Sequence, residues 1–300
     1  MHSTVSDVRE RIVILTRLSE KVALERRYGT TAQAAFMMTR APEGGADFKR
    51  AVKSDDAQSF ALERIRRALP QDIQSVEIDR SLVAQFVFDP GDLVVALGQD
   101  GLVANVGKYL DGQPLAGVNP DPGAFEGALL SFTVDSFIRV LPEVLAGRRP
   151  TRSVVLAEAM SDDGQVLRGF NEIFVGAPTH QSARYRLSHG NASELQSSSG
   201  VIVSTGSGSS GWLRSIMGDA AAFDPTREML KFCVREAWPG RGFSASLIRG
   251  EATVKNPLIV ESHMARGVAF ADGIEDDAVA FDAGVTIRIA PSGRRVNLLS

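Results

Sequence analysis

Apolar residues follow two different patterns along the chain, and the change falls near residue 150. In the first half, short apolar runs alternate with segments of helical period. The runs predicted as strands are Arg11–Leu15, Ile73–Ile78, Leu93–Leu97 and a run that ends at Asn119. Strands that alternate with helices predict a parallel, doubly wound α/β domain.

Helices are predicted between these strands wherever apolar residues recur on one face. The first begins near residues 55–56, whose aspartates would cap it, and ends at Pro70. A short helical run, Leu102–Leu110, follows the third strand. The last helix covers Thr133–Ala146, where Pro142 is expected to kink or restart it.

After Gly147–Pro150, short strands follow one another with turn residues between them. The strands predicted here are Val154–Met160, Val166–Val175, Arg184–Ser188, Gly200–Thr205, Leu230–Glu236, Ser244–Arg249, Leu258–Ser262, Val268–Ala271 and Val285–Ala290. Asp162-Asp163-Gly164 predicts a hairpin between the first two. The spacing predicts a β-sandwich-like second domain. We therefore expect domains at residues 1–147 and 148–300, and the last residues could return to the first domain.

Composition excludes several classes of function. Of the 300 residues, 44% are hydrophobic and 23% are charged, which is typical of a soluble globular protein. The net charge of −3 argues against a nucleic-acid or membrane-surface partner. Cys233, the single cysteine, lies in an alternating apolar run and is interpreted as a passive strand residue. The chain shows neither a secretory signal nor a membrane-length apolar window, so a cytoplasmic location is expected.

The stretch Asp92–Pro122 carries the first candidate site. A buried strand ends at a glycine-bounded turn that holds Asp100, and a helix and a second strand follow. The free N–H groups at such a helix start suit a phosphate, and ligands of parallel sheets bind beyond the carboxyl ends of the strands. The residues predicted to bind phosphate or nucleotide are Gly98, Gln99, Gly101 and Asn119.

Two apparent nucleotide motifs are rejected. Gly206–Gly211 fits G-x-G-x-x-G, but it lies among short strands with no βαβ unit around it. Five residues lie between Gly101 and Gly107, where a P-loop has four, and Tyr109 stands where a P-loop has Ser or Thr. The four histidines show no metal-ligand spacing with each other or with Cys233, so the metal is left open.

Four short motifs resemble, in their order along the chain, those of the NAD kinases. They are Gly98–Leu102 for Gly-Gly-Asp-Gly-Thr, then Asn171-Glu172, then Thr205–Trp212, and finally Asp272-Gly273. The match extends from about residue 11 to residue 273. Four motifs in the correct order are more specific than any one of them.

Further details resemble the mitochondrial-type branch of that family. They are Glu25-Arg26-Arg27-Tyr28, Asn119-Pro120-Asp121-Pro122, Glu126-Gly127, Ser198-Ser199-Gly200, Gly206 and Trp212. The resemblance implies an N-terminal α/β domain, a C-terminal β-rich domain, a cleft between them, and a homodimer or homotetramer. It also implies transfer of the γ-phosphoryl group of ATP, with Mg²⁺, to the 2′-hydroxyl of the adenosine ribose of NAD, which gives NADP.

The resemblance also implies roles for individual residues. Asp100 would accept the proton of the attacking hydroxyl. Asn171 would bind an adenine or ribose edge, and Glu172 would accept from ribose hydroxyls. Further substrate contacts are expected from Thr205, Ser210, Gly211 and, on the nicotinamide side, Ser215. Taken singly, each of these residues also fits an ordinary turn or loop.

Two positions depart from the family pattern. Gln99 replaces a glycine, which narrows the space over the phosphates and disfavours a positive φ, and Leu102 replaces a threonine hydroxyl. Both changes affect the phosphoryl donor more directly than NAD. Three functions therefore stand: an NAD kinase with an altered donor loop, a kinase of this fold for another hydroxylated small molecule, or a catalytically weak NAD- or NADP-binding protein.

Overall fold

The structure is a computed structural model that describes residues 11–124 and 127–300, with residues 275 and 276 described only as part of a strand. The chain divides into two compact units, Met1–Arg152 with Asn297–Ser300, and Ser153–Val296. Glu126, from the acid-glycine pair noted in the sequence, lies outside the described residues.

The first unit alternates strands and helices. Its elements are β1 (Arg11–Thr16), α1 (Glu20–Tyr28), α2 (Thr31–Met38), α3 (Gly44–Ala68), β2 (Gln74–Asp79), a 3₁₀ helix (Arg80–Gln85), β3 (Asp92–Leu97), α4 (Asp100–Gly107), β4 (Pro114–Asn119), β5 (Phe132–Thr133) and α5 (Val134–Leu145). The strands run parallel in the order β2-β1-β3-β4. β2, the next strand in the chain, lies on one side of β1, and β3 lies on the other side. The direction in which strands are added to the sheet therefore reverses between β1 and β3.

Helices cover both faces of this sheet, as the doubly wound prediction requires. Every residue of β3 and β4 is buried, which is the pattern of central parallel strands. On one face the strand side chains pack against α3 and α5 in a single cluster. Its largest members are Ile12, Ile14, Ile65, Leu93, Val95, Leu97, Phe132, Phe137 and Leu141. A partly buried ion pair joins Arg11 of β1 to the buried Asp92 of β3, with Nε and Oδ1 2.7 Å apart.

The predicted start of the first helix is wrong. α3 begins at Gly44 rather than near residues 55–56, because its first half buries only a narrow apolar stripe and the sequence period is weak there. Asp55 does not cap a helix but accepts hydrogen bonds from Ser19 and Lys21. Pro142 lies inside α5, and the helix continues past it to Leu145.

The second unit is built from antiparallel strands. Its elements are β6 (Thr151–Ser161), β7 (Val166–Gly169), β8 (Glu172–Gly176), β9 (Ala183–His189), β10 (Ala192–Ser198), β11 (Val201–Ser204), α6 (Trp212–Met217), β12 (Leu230–Val234), β13 (Arg249–Ala252), β14 (Leu258–Ser262), β15 (Val268–Ala271), β16 (Ile274–Ala280) and β17 (Thr286–Leu299). One sheet has the order β13-β12-β11-β8-β15-β16, and in the other β10-β9-β14-β17 are neighbours, with β6 beside β17 and β7. Asn297 and Leu298, at the end of β17, belong to the first unit and pair with β4.

The core of the second unit lies between its two sheets, which confirms the sandwich-like class. It includes Tyr185, Leu187, Val201, Val203, Phe232, Val260, Phe281 and Ile289. The hairpin at Asp162-Asp163-Gly164 is confirmed, since Met160 pairs with Val166. Cys233 lies buried on β12, and burial raises the pKa of its thiol.

Other predictions for this unit need correction. The run Val166–Val175 is two strands, because the chain turns at Phe170 and Asn171. No strand begins at Ser244, and β13 starts at Arg249 instead. Strands β10 and β16 are rich in polar residues and were not predicted. Among the helices of residues 11–124 and 127–300, none is long and apolar enough to cross a membrane.

Candidate functional site

The turn between β3 and α4 brings the predicted phosphate-binding residues to neighbouring strand ends. The Gly98 N–H donates to the Val118 carbonyl at 3.1 Å, so this glycine lies beside the end of β4. Asn119 ends β4, and its Oδ1 accepts from the Asp121 N–H at 3.0 Å. Gly98, Gln99, Gly101 and Asn119 are therefore close to one another, although Asn119 uses its side-chain oxygen within its own turn.

Asp100 is the first residue of α4, and backbone groups hold its carboxylate. Its two oxygens accept from the Ala128 N–H at 2.9 Å and the Leu129 N–H at 3.0 Å. A Cβ atom at Gly127 would lie 2.2 Å from Asp100 Oδ1, so only glycine allows this approach. Each carboxylate oxygen has two acceptor positions, and one on each stays available. The arrangement fixes the carboxylate and still leaves it able to take a proton.

The two residues that depart from the family pattern have different surroundings. Gln99 is exposed and has a φ of −99°, so this backbone position needs no glycine. The positive φ that glutamine disfavours is therefore not adopted at this position. Leu102 is 3% exposed and belongs to the buried face of α4.

A cavity of about 640 Å³ lies beside this turn in the first unit. Its walls come from the residues that follow β1, from one face of α3, from the β3–α4 turn and from the loop after β4. The polar residues that line it are Arg17, Ser19, Glu20, Asp47, Arg50, Lys53, Ser54, Gln58, Gln99 and Asp121.

In the second unit, Asp272 organises the turn that holds Asn171 and Glu172. Its carboxylate accepts from the backbone N–H groups of Phe170 at 2.9 Å, of Asn171 at 2.6 Å and of Glu172 at 3.3 Å. The Asp272 N–H in turn donates to the Glu172 carbonyl at 3.1 Å. The late Asp-Gly motif thus lies against the Asn-Glu motif.

Thr205 adds the third motif to the same cluster. Its hydroxyl donates to the Phe170 carbonyl at 2.6 Å, and its N–H donates to the Asn171 carbonyl at 2.9 Å. The Gly208 N–H donates back to the Thr205 hydroxyl at 3.2 Å. A Cβ atom at Gly208 would lie 2.1 Å from the Asn171 carbonyl oxygen, so the loop can pack here only with glycine. Residues 171, 205 and 272 therefore belong to one hydrogen-bonded cluster.

Glu172 is the unusual member of this cluster. The residue is 9% exposed, and within the described chain its carboxylate has no hydrogen-bond partner. Burial, together with repulsion from the nearby Asp272, raises its pKa to about 7. Buried polar groups normally have partners, so an unpaired carboxyl group indicates a place where a ligand could donate.

The other predicted contact residues lie outside the cluster. Ser210, Gly211 and Ser215 are exposed, and the Ser215 hydroxyl donates to the Trp212 carbonyl at 2.7 Å. Trp212 stacks on Phe174 with ring centroids 5.7 Å apart. Both rings line a second cavity, of about 570 Å³, together with Ser199, Arg235, Glu236 and Phe270.

No metal centre formed by protein side chains is present in the described part of the chain. Groups of three or more His, Cys, Asp or Glu residues with suitable placement were not found among residues 11–124 and 127–300. A divalent ion carried by a nucleotide needs only one or two carboxylates in addition to phosphate oxygens and water. Asp121 lines the cavity of the first unit and could supply one such carboxylate.

Comparison with solved structures identifies the fold. The α/β unit and the sandwich unit together match yeast NADH kinase, solved in complex with NADH, with a TM-score of 0.65 and 13% identity over 100% of this chain and 88% of that chain. They also match an NAD kinase from Archaeoglobus fulgidus, solved in complex with ATP, with a TM-score of 0.60 and 16% identity over 97% and 93% of the two chains. No protein-family model matches the sequence, and no curated protein matches it. The chain has the fold of the NAD kinases.

Some residues at these sites were not found by sequence reasoning. Asp272 was part of the resemblance but was given no role. Arg50 and Lys53 of the first cavity were missed because α3 was expected to start later, and Arg17, which follows β1, belongs to no recognised motif. The available signal was the polar spacing Asp47, Arg50, Ser54 and Gln58, which places these residues on one helix face.

Proposed function

We propose that the protein is an NAD kinase-like phosphotransferase that transfers the γ-phosphoryl group of ATP to the 2′-hydroxyl of the adenosine ribose of NAD. The products are NADP and ADP. The fold likeness to two kinases that act on NAD or NADH supports this choice. Two alternatives are a kinase for another hydroxylated small molecule and a weak NAD-binding protein. The assay below distinguishes both from an NAD kinase.

One observation carries the proposal. Three motifs that resemble those of the NAD kinases, and that are far apart in the sequence, meet in a single hydrogen-bonded cluster around residues 171, 205 and 272. That cluster contains the buried carboxyl group of Glu172, which has no hydrogen-bond partner among the residues that the structure describes. A cluster with this composition suits a nucleoside, because ribose hydroxyls donate to a carboxylate and an amide side chain both donates and accepts.

Each residue then has a defined task. Glu172 in its ionised form accepts from ribose hydroxyls, and Asn171 binds a base or ribose edge. Asp100 takes the proton as the 2′-oxygen attacks the γ-phosphorus. The new P–O bond forms while the bond to the β-phosphate oxygen breaks, and ADP leaves with that electron pair. Because two backbone N–H groups hold the Asp100 carboxylate, it meets its target without reorganisation.

Magnesium enters this scheme with the nucleotide. When bound, Mg²⁺ neutralises charge that develops on the phosphate oxygens. Asp121, in the loop after β4, is one of the described carboxylates that line the cavity beside the phosphate-binding turn, and it would hold the ion together with phosphate oxygens and water.

The test is a phosphate-transfer assay with purified protein, ATP, Mg²⁺ and NAD, in which an NADP-specific dehydrogenase detects the product. The expected result is NADP formation that depends on all three additions. If no NADP forms while NAD raises the Tm, the protein is a binder or uses another donor. If neither occurs, the acceptor is a different molecule and the fold has another function.

A further inference from the structure

The cavity of the first unit occupies the place where ligands bind in open α/β sheets. Arg17 directly follows β1, and Gly98 and Gln99 directly follow β3. These strands flank the point at which the strand order reverses, and ligands of such sheets bind in the crevice outside the strand ends there. The volume of about 640 Å³ is within the range of small-molecule sites.

Three cationic side chains line this cavity. Arg17 and Lys53 are exposed, and neither forms an ion pair within the described residues. Arg50 is paired with Asp47, one helical turn earlier on α3. The cations come from two separate segments, the end of β1 and the middle of α3, so they approach one space from different directions. Such an arrangement suits a group with several anionic oxygens.

The cavity is not uniformly basic. Glu20, Asp47 and Asp121 line it as well. A simple anion would gain little from such mixed charge, whereas a polyphosphate with bound Mg²⁺ carries both signs and would use both sets of residues.

We propose that this cavity binds the phosphate chain of the donor nucleoside triphosphate, with Arg17, Arg50 and Lys53 as its cationic contacts. The assignment of this ligand as the phosphoryl donor rests on the function proposed above. The residues of α3 thereby become determinants of donor affinity, while the acceptor depends on other residues.

The experiment compares two double variants with equal charge loss on the same helix. Arg50→Gln/Lys53→Gln removes two cavity cations, and Lys49→Gln/Arg67→Gln removes two exposed cations of α3 that do not line the cavity. Titration calorimetry measures the affinities for Mg-ATP, for inorganic tripolyphosphate with Mg²⁺, and for NAD. Thermal unfolding confirms that both variants are folded.

The cavity variant is expected to bind Mg-ATP and tripolyphosphate about tenfold more weakly than the wild type, with NAD affinity within about twofold. The control variant should keep all three affinities within about twofold, because neither side chain lines the cavity and salt weakens the effect of exposed charges. Added salt should weaken ATP binding more in the wild type than in the cavity variant.

Equal affinity of the two variants for Mg-ATP and tripolyphosphate would overturn the inference. So would a loss confined to NAD, because the cavity would then hold the acceptor. The proposed function is judged separately by NADP formation in the wild type. If the wild type makes no NADP and still needs Arg50 and Lys53 to bind tripolyphosphate, the site stands and the function fails. If NADP forms with an unchanged KM for ATP in the cavity variant, the function stands and the site fails.

Discussion

The β3–α4 turn and the Asn171–Glu172 turn both carry acids, but the two regions use them differently. In the first, both oxygens of Asp100 accept backbone N–H groups. In the second, Asp272 does the same for three N–H groups, whereas the buried Glu172 carboxyl has no such partner in the described chain. Asp100 and Asp272 therefore organise loops, whereas the Glu172 carboxyl group organises none among the described residues.

This difference has an energetic basis. A buried carboxylate without a donor is costly, and a raised pKa is how such a group avoids its charge. Glu172 follows that behaviour, with a pKa near 7. Asp100 and Asp272 have donors that offset desolvation of their charge. Substitutions at the two kinds of acid should therefore have distinct signatures.

The largest effect is expected from Asp100→Asn. The amide cannot take the proton of the attacking hydroxyl, so kcat should fall by about 100- to 10,000-fold while NAD binding stays within about twofold. Steady-state kinetics and NAD titration measure the two effects. Asp72→Asn, at an exposed position, is the matched control and should behave as wild type.

Asp100→Asn also places an NH₂ group against a backbone N–H, so the variant should lose thermal stability. Kinetics are therefore compared at a temperature at which the variant is fully folded. A kcat within tenfold of wild type under those conditions would show that Asp100 only anchors the loop at Ala128 and Leu129.

Glu172→Gln should change how the free energy of unfolding depends on pH, because it removes a buried acid with a raised pKa. In the unfolded chain Glu172 ionises near its ordinary value of 4.5, and in the folded chain near 7. Between these values the unfolded state binds fewer protons, so wild-type stability falls as the pH rises, by about 3 kcal/mol at most. Glutamine removes this loss.

Urea unfolding at pH 4.5 and at pH 8 measures the difference. The wild type and Glu172→Gln should have similar stability at pH 4.5, and the variant should be the more stable at pH 8. A parallel pH dependence in both proteins would mean that Glu172 is ionised and paired in the folded state. Glu63→Gln, at an exposed position on α3, is the control and should show no such gain.

Gly127→Ala should have an intermediate effect. A Cβ atom there would lie 2.2 Å from Asp100 Oδ1, so the carboxylate or its loop must move. The base is retained but misplaced, and kcat is expected to fall about tenfold. If kcat is lower but depends on pH as in the wild type, the displaced position of the Asp100 carboxylate is the cause of the loss. An unchanged kcat in the folded variant would show that the loop does not position Asp100.

Much of the fold could be predicted from the sequence because the informative strands are central and apolar. β3, β4, β14 and β15 were located to within about two residues from continuous or alternating apolar runs. The fold class follows from that pattern and is confirmed. Strands β10 and β16 were missed because their polar residues, including Glu194 and Asp277, hide the strand period.

The candidate site could be predicted only where residues form a motif. Asn171, Glu172 and Thr205 were identified from short signatures, but the lack of a partner for Glu172 depends on three-dimensional burial. The cavity cations were not identified, since Arg17, Arg50 and Lys53 meet only through folding of α3 beside the end of β1. Charged residues on a helix usually form a solvated face, and polar spacing along α3 does not by itself distinguish such a face from a binding site.

The smallest effect is expected from Gln99→Gly, which restores the glycine of the resembling family. Gln99 has a φ of −99°, occupies the N-cap position of α4 and makes no side-chain cap hydrogen bond. Glycine at an N-cap is tolerated, so the free energy of unfolding should change by less than about 0.5 kcal/mol. We expect KM for ATP and kcat to change by less than about threefold.

Gln99→Ala separates the two ways in which the glutamine could act. Alanine removes most of the side chain that lines the cavity but keeps an ordinary backbone, whereas glycine also frees the backbone. If both variants raised kcat tenfold, the glutamine side chain would obstruct the donor, as its departure from the family pattern suggests. If glycine alone did so, the turn would need a backbone conformation other than the φ of −99° observed at this position. If both variants had only small effects, any loss of activity caused by the divergent loop would be due to Leu102. Its side chain is buried in α4 and has no hydroxyl group that could bind a phosphate.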